Sequence, residues 1–301
     1  MTSENKVIFF LEENLRQSAE AGNHNFLGLV SDVLTEAGFQ VAYADPQIAD
    51  ARDGQFALFH MQQPDRPKGV TVRRSYYYPF WQIERTSERW NWDVARAPFD
   101  RKHVDPNTAA QFFGFWQKRL FKDGPQSAAN DGFIYVPLQG KLLQHRSFQH
   151  CSPMKMLDHV LAHSSGRKVI ATLHPGETYS ERELFALETL ADATPNLTLQ
   201  MGGMEPLLQR CAFVVTQNSS VAFAACFFRK PSILFAGIDF HHICANVSDL
   251  GVKAAFESVT TMEPDYAAYV WWFLQHRSIN AGRPEAKDKI KQRLRDLGWP
   301  V

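Results

Sequence analysis

The segment from Thr216 to Ile243 holds residue types suited to binding a phosphate group. Four polar residues follow an apolar run of strand character: Gln217, Asn218, Ser219 and Ser220. A helix beginning there offers free backbone N–H groups, two hydroxyls and the positive end of its dipole, and such groups bind anions. Asn218 or Ser219 would equally serve as an ordinary helix cap. The segment by itself therefore leaves a phosphate site and a structural cap as alternatives.

His174 begins a second polar turn, directly after the apolar run 169–173. A histidine there can donate to a phosphate oxygen or act as an acid, Pro175 fixes the turn, and Gly176 permits close approach of the backbone. Glu177 suits acid–base chemistry, although capping of the next helix is the simpler interpretation. Because ligands of open α/β folds bind at the carboxyl ends of the strands, we expect both turns to contribute to one phosphate site.

A third candidate, Gln139, closes the apolar run 133–138. The loop that follows contains no carboxylate and carries several basic or amide side chains: Lys141, Gln144, His145 and Arg146. Basic side chains in such a loop would suit an anionic ligand. A plain polar loop is the alternative.

Paired histidines follow the next predicted strand of this half of the chain. His241 and His242 come shortly after the run 232–237, with Cys244 close behind. The spacing fits no standard zinc pattern, and the sequence contains no D-x-D pair of acidic metal ligands. We therefore predict no metal site and expect His242 to contact the ligand instead.

The rhythm of apolar runs predicts an α/β protein with two Rossmann-like, doubly wound domains facing a cleft. Continuous apolar strands alternate with helices throughout residues 133–237, as a buried parallel sheet requires. A β-loop-α-β pattern opens the chain, and the polar stretch 122–131 resembles a linker. The predicted domains are residues 1–128 and 129–301, the second closed by helices near 264–276 and 284–297.

Composition restricts the class of protein further. The 301 residues carry a formal net charge of +0, which gives no global attraction to nucleic acid. No stretch reaches the roughly 18 apolar residues typical of a membrane span, and the N-terminus lacks the pattern of a signal peptide. The four cysteines show no C-x-x-C pairing. We expect a cytoplasmic protein with reduced cysteines, and leave open a peripheral association with a membrane complex.

Three motifs in order resemble the capsule polysaccharide biosynthesis family, which includes bacterial β-Kdo transferases. They are VPLQ (136–139), the pair His174-Pro175 and the segment 217–243, and the resemblance covers roughly 133–243. It implies a GT-B glycosyltransferase whose C-terminal domain binds a nucleotide-sugar donor, with no further cofactor. The donor of related enzymes is CMP-Kdo, and the acceptor is a glycan or glycolipid.

The resemblance also implies roles for individual residues. His174 and Pro175 would meet the cytidylate phosphate, and Ser219 and Ser220 its oxygens. Gln217, Asn218 and His242 would add donor contacts. Three residues are the candidates for catalysis: Gln139, His174 and Glu177.

One departure from the family pattern concerns the catalytic carboxylate. Members with transferase activity commonly carry an acidic residue shortly after the VPLQ strand, whereas this chain has Gly140, Lys141, Leu142 and Leu143 there. Glu177 would supply the carboxylate, or Glu12 or Glu13 from the N-terminal domain. The alternatives are an inactive relative that binds glycan or nucleotide within an export complex, and an enzyme that uses UDP- or GDP-sugars.

Overall fold

The computed structural model describes residues 5–46 and 56–301. The chain divides into two compact units, unit 1 (Met1–Ala97 with Trp272–Val301) and unit 2 (Pro98–Trp271). Each unit contains one six-stranded sheet with helices. Among the described residues, no helix is both long and apolar enough to span a membrane.

Unit 1 is built on a mixed sheet. Its elements are β1 (Lys6–Phe10), α1 (Glu13–Glu20), α2 (Asn25–Glu36), β2 (Gln40–Ala44), β3 (Phe56–His60), β4 (Gly69–Arg74), β5 (Phe80–Glu84), α3 (Asp93–Arg96), β12 (Ile279–Asn280) and α12 (Ala286–Asp296). The strand order is β12-β5-β4-β3-β1-β2. Strands β1 to β4 are parallel to one another, β5 pairs antiparallel with β4, and β12 pairs antiparallel with β5. From β1 the chain continues to β2 on one side and later to β3 on the other side, so β1 and β3 form the switch point of the sheet.

Unit 2 is built on a fully parallel sheet. Its elements are α4 (Pro106–Phe121), β6 (Ile134–Pro137), α5 (Pro153–Ala162), β7 (Val169–Leu173), α6 (Glu181–Asp192), β8 (Leu197–Met201), α7 (Met204–Arg210), β9 (Phe213–Thr216), α8 (Ser220–Ala225), β10 (Ser232–Leu234), β11 (Ala245–Asn246), α9 (Val247–Leu250), α10 (Val252–Ser258) and α11 (Tyr266–Val270). The order β11-β10-β9-β6-β7-β8 is the Rossmann order, with β6 and β9 at its switch point.

Burial explains why the strands of unit 2 can be predicted from the sequence. All residues of β6, β9 and β10 are buried. A strand covered on both faces is predominantly apolar, because each buried Val, Leu or Ile side chain contributes about 1.5–3 kcal/mol. The alternation predicted for residues 133–237 therefore matches the observed parallel sheet.

The observed division of the chain differs from the boundary predicted between residues 128 and 129. Helix α4 belongs to unit 2, where the Phe113 and Phe121 rings lie 5.4 and 5.6 Å from the Phe227 ring. The stretch 122–131, predicted as a linker, is also tied to unit 2, since Ala129 N donates to Gln209 O and Asp131 N to Arg210 O. The polar composition of residues 122–131 therefore reflects a surface segment of unit 2 and not a linker between domains.

The predicted assignment of the last helix to the C-terminal domain also differs from the structure. Helix α12 packs on α2, and β12 pairs with β5, so both elements belong to unit 1. The chain thus returns to its first unit after completing the second.

Ion pairs of Arg293 connect α12 to the sheet of unit 1. Arg293 on α12 pairs with Glu84 at the end of β5 (Nη2 to Oε2, 2.7 Å) and with Asp93 on α3. Its Nε also donates to Ile83 O at 2.7 Å. Glu84 is only 3% exposed. Burial raises the pKa of the Glu84 carboxyl to about 7, although the Arg293 charge opposes this rise.

The raised pKa of Glu84 predicts a pH-dependent stability. As pH rises from about 4.5 to about 7, the unfolded chain loses the Glu84 proton while the folded chain keeps it, so folding becomes less favourable. This loss is on the order of 1–3 kcal/mol. We expect Glu84→Gln to remove this pH-dependent loss of stability. In urea unfolding, the free energy of unfolding of the variant relative to the unmodified protein should therefore be higher at pH 8 than at pH 5. Glu20→Gln is the exposed control, and an identical difference at both pH values would contradict the prediction.

Candidate active site at the carboxyl edge of the unit 2 sheet

Three neighbouring strands of unit 2 end beside one another at the candidate site. In the order β9-β6-β7, all strands are parallel, so their carboxyl ends lie at one edge. The turns after them begin at Gln217, Leu138 and His174 respectively. The expectation that the two polar turns share an edge is therefore confirmed by the topology, with the end of β6 between them.

The turn after β7 positions His174 through two hydrogen bonds. The His174 Nδ1 accepts from Gly176 N at 3.0 Å, and its backbone N–H donates to the hydroxyl of Tyr179 at 2.9 Å. Because Nδ1 acts as an acceptor, the imidazole carries its proton on Nε2. His174 and Pro175 are both exposed. The ring therefore presents an N–H donor to any ligand at this edge.

Glu177 does not cap the following helix, contrary to the simpler prediction. Ser180 is the N-cap of α6 and forms a capping box with Glu183. The Glu177 side chain is exposed and lies instead against Gly140, the residue that follows Gln139. A Cβ placed on Gly140 would overlap the Glu177 Oε2 and lie 3.2 Å from its Cδ. The space beside Gly140 is therefore occupied by a carboxylate from the neighbouring turn.

Gln139 connects the end of β6 to the turn after β9. Its Oε1 accepts a hydrogen bond from Asn218 N at 3.4 Å. Asn218 in turn donates its side-chain amide to Gly237 O, also at 3.4 Å. Gln139 thus lies at the switch point of the sheet, with Asn218 on one side and the Gly140–Glu177 contact on the other.

Ser219 and Ser220 occupy different positions at the start of α8. Ser219 is the N-cap, is 9% exposed, and accepts from Val221 N at 3.3 Å. Ser220 is the first residue of the helix and is exposed. The capping interpretation therefore holds for the Ser219 hydroxyl, whereas the Ser220 hydroxyl is accessible to a ligand.

Gln217 hydrogen-bonds to the loop that follows Gln139. Its Nε2 donates to Cys151 O at 3.0 Å, and its side chain is 1% exposed. Cys151 ends the basic loop after Gln139. The same loop is joined to the segment after β10, since Gly237 N donates to Phe148 O and His150 N to Phe235 O. The loop therefore crosses the end of β9 and buries Gln217.

Within that loop, the predicted basic residues face different surroundings. Lys141, Gln144 and His145 are exposed, and the His145 Nε2 lies 2.8 Å from Gln149 O. The Arg146 guanidinium lies over the Phe148 ring at 4.8 Å. Lys141 follows Gly140 directly and is the basic residue nearest to Gln139 in the sequence.

The paired histidines lie after β10 in a short 3-10 turn. Their rings stack at a centroid distance of 4.3 Å, and the His242 Nδ1 lies 3.0 Å from the Tyr269 hydroxyl on α11. Both histidines are half-buried. Among residues 5–46 and 56–301, no group of three or more His, Cys, Asp or Glu side chains could hold a metal ion.

In unit 1, Glu12 lies at the corresponding switch point. Its Oε2 is 3.1 Å from Nδ1 of His60, the last residue of β3, while Glu13 begins α1. Nearby in the sequence, His24 caps α2 by accepting from Leu27 N at 3.2 Å. Glu12 and His60 therefore form a polar pair at the carboxyl edge of the unit 1 sheet.

Two features of the site escaped sequence reasoning. Tyr179 anchors the His174 backbone, but a tyrosine five residues beyond a histidine gives no signal in the sequence. The contact between Gly140 and Glu177 depends on two turns 37 residues apart in the sequence, which no local pattern connects.

Comparisons with known proteins bear on the fold. No protein-family model matches the chain, and no curated protein matches it. The solved β-Kdo 2,7 transferase of KpsC from Thermosulfurimonas dismutans aligns over 89% of this chain and 89% of that chain, with 9% identity and a TM-score of 0.52. The chain has a GT-B-like fold. The fold class expected from the sequence is therefore confirmed.

Two other solved structures align less closely. The β-Kdo 2,4 transferase of the same KpsC covers 88% of this chain and 89% of that chain, at 9% identity and a TM-score of 0.46. The UDP-GlcNAc 2-epimerase from Methanocaldococcus jannaschii covers 97% and 99%, at 10% identity and a TM-score of 0.34.

Proposed function

We propose that this protein is a glycosyltransferase of bacterial surface polysaccharide synthesis. It transfers a Kdo-like sugar from a CMP-activated donor to a glycan or glycolipid acceptor, in the cytoplasm and without a metal ion. The observation that carries the proposal is the meeting of three strand ends of unit 2, which places His174, Gln139, Glu177 and the start of α8 at one edge of a Rossmann-ordered sheet.

The donor phosphate is bound by neutral donors in this proposal. The His174 Nε2 proton and the accessible Ser220 hydroxyl hydrogen-bond to its oxygens, and the dipole of α8 adds to the attraction. These contacts strengthen as negative charge develops on the leaving nucleotide, so they stabilise the transition state more than the bound donor.

The carboxylate for the reaction comes from Glu177. Related enzymes carry an acid just after the β6 strand, and here the side chain of Glu177 fills the space beside Gly140 at that point. A carboxylate there can act as a general base toward the acceptor hydroxyl or as a nucleophile toward the sugar. In this proposal, the acid that is missing after β6 is replaced by Glu177 from the turn after the adjacent strand β7.

The nucleotide preference is tested by isothermal titration calorimetry with CMP, UDP and GDP. We expect CMP to bind most tightly, because the site offers one set of phosphate donors, His174 and Ser220, which suits a single phosphate group better than two. Binding of none of the three would contradict the proposal, and preference for UDP or GDP would overturn the CMP assignment alone.

A second candidate function is that of a non-catalytic nucleotide- or glycan-binding protein in a polysaccharide export complex. The observation that favours it is the sequence Gly140-Lys141-Leu142-Leu143, which places no acid where the family that the chain resembles commonly carries one. The two functions separate in one assay. CMP binding without consumption of CMP-Kdo, over a panel of glycan and glycolipid acceptors, would support the binding protein.

A further inference from the structure

Unit 2 contains a cavity at the edge of its sheet opposite to the candidate active site. The cavity has a volume of about 550 Å³ and lies between the segment that precedes β6 and the segment that precedes β10. Its lining includes Gln126, Asn130, Arg229 and Lys230. No aspartate or glutamate lines it. A cavity of this size accommodates a small metabolite.

The lining of this cavity includes a buried lysine with few partners. Lys230 is 8% exposed, and its ammonium donates to Ala129 O at 2.5 Å. An ammonium has three N–H donors, and no salt bridge to Lys230 occurs within residues 5–46 and 56–301. The charge of Asp131 favours the ammonium, but that carboxylate is paired with Arg210 at 2.7 Å.

Burial of the Lys230 ammonium is unfavourable without an opposite charge. Desolvation lowers the pKa of Lys230, and a buried charge is normally paired in folded proteins. A ligand anion in the cavity would supply the missing negative charge and accept the remaining N–H donors. The burial of this lysine beside an open cavity therefore indicates an anionic ligand.

Arg229 adds a second cation to the same cavity. Its guanidinium lies over the Phe113 ring at 5.3 Å from the centroid, a stacking that leaves the N–H groups at the guanidinium edge accessible. Gln126 and Asn130, which also line the cavity, carry neutral amides and so do not repel an anion. Two adjacent cations with neutral amides and no lining carboxylate match a phosphoryl group.

We propose that this cavity binds a phosphoryl-bearing anion through Lys230 and Arg229. The site is separate from the proposed donor site, because it lies at the amino-terminal edge of the parallel sheet whereas His174 lies at the carboxyl edge. A ligand bound there contacts the segments that lead into β6 and β10.

The test measures thermal unfolding of the full chain against inorganic phosphate, in the His174→Ala background so that the donor site does not contribute. At ten times its dissociation constant, phosphate is expected to raise Tm by about 3–6 °C. Lys230→Met should abolish this rise, and Arg229→Met should weaken phosphate binding about tenfold. Lys118→Met, an exposed lysine of the same unit, is the control and should retain the full rise.

Two results would overturn the proposal. One is the absence of any phosphate-dependent rise in the His174→Ala protein, and the other is an equal rise in the Arg229→Met and Lys118→Met variants. Arg229 is exposed, so its replacement keeps the test valid if Lys230→Met does not fold. A second arm measures co-sedimentation of the protein with vesicles of phosphatidylglycerol, compared with vesicles of phosphatidylcholine. Co-sedimentation with phosphatidylglycerol that is lost in Lys230→Met would assign the phosphoryl group to a lipid headgroup. If the protein does not co-sediment with these vesicles, the phosphoryl group belongs to a free phosphate compound.

Discussion

Replacement of Glu177 by Gln is expected to lower the turnover number about 10²–10⁴-fold while leaving the affinity for CMP unchanged. The amide keeps the shape of the side chain beside Gly140 but can neither accept a proton nor attack a sugar carbon. The measurement is the initial rate of CMP release from the activated sugar with a saturating acceptor, together with calorimetric titration of CMP.

Two variants sharpen this prediction. Glu181→Gln changes an exposed carboxylate at the start of α6 and should retain full activity. Gly140→Ala introduces a Cβ that overlaps the Glu177 carboxylate, so that flexible side chain must move away from the end of β6. We expect Gly140→Ala to fold normally and to lose most of its activity. Full activity of both Glu177→Gln and Gly140→Ala would rule out the proposed role and direct attention to Glu12 in unit 1.

Replacement of His174 by Ala is expected to weaken CMP binding about 10–100-fold. A hydrogen bond to a charged group contributes about 1.5–3 kcal/mol, and the His174 Nε2 proton is proposed to donate to the nucleotide phosphate. The folded stability should change little, because the ring is exposed and its intramolecular bond is local to the turn. Calorimetric titration of CMP measures the affinity, and urea unfolding measures the stability.

The matched control for His174→Ala is His103→Ala, which removes an exposed histidine of the same unit away from the sheet edge. It should bind CMP as the unmodified protein does. An unchanged affinity in His174→Ala would show that the turn after β7 does not bind the nucleotide. A loss of affinity in both variants would point to a general effect of charge instead.

Much of the fold of unit 2 was predictable because its determinants are local. Residues 169–173 and 213–216 are apolar except for one threonine each, since both faces of a central parallel strand are covered, and this leaves a nearly continuous signal. The polar turns after them follow from the same rule, because parallel strands carry their loops to one edge. The placement of His174 and Ser219 at that edge was therefore derivable from the order of apolar and polar residues.

The division of the chain and the catalytic geometry required the tertiary structure. The polar composition of 122–131 indicated a linker, whereas backbone bonds from Ala129 and Asp131 tie it to α7 of unit 2. Likewise, Glu177 resembled a helix cap until its contact with Gly140 was visible. Both outcomes depend on pairs of residues far apart in the sequence, and periodicity describes only neighbours within a few positions.

The sequence alone thus determined the α/β class, the parallel sheet of unit 2 and the edge that carries its polar turns, since burial imposes these on each short segment separately. The tertiary structure decided that α12 returns to unit 1, that Gln217 hydrogen-bonds the loop that ends at Cys151, and that the carboxylate of Glu177, in the turn after β7, lies at the end of β6. These features arise from long-range contacts, whose free energy depends on which surfaces meet once the chain has folded.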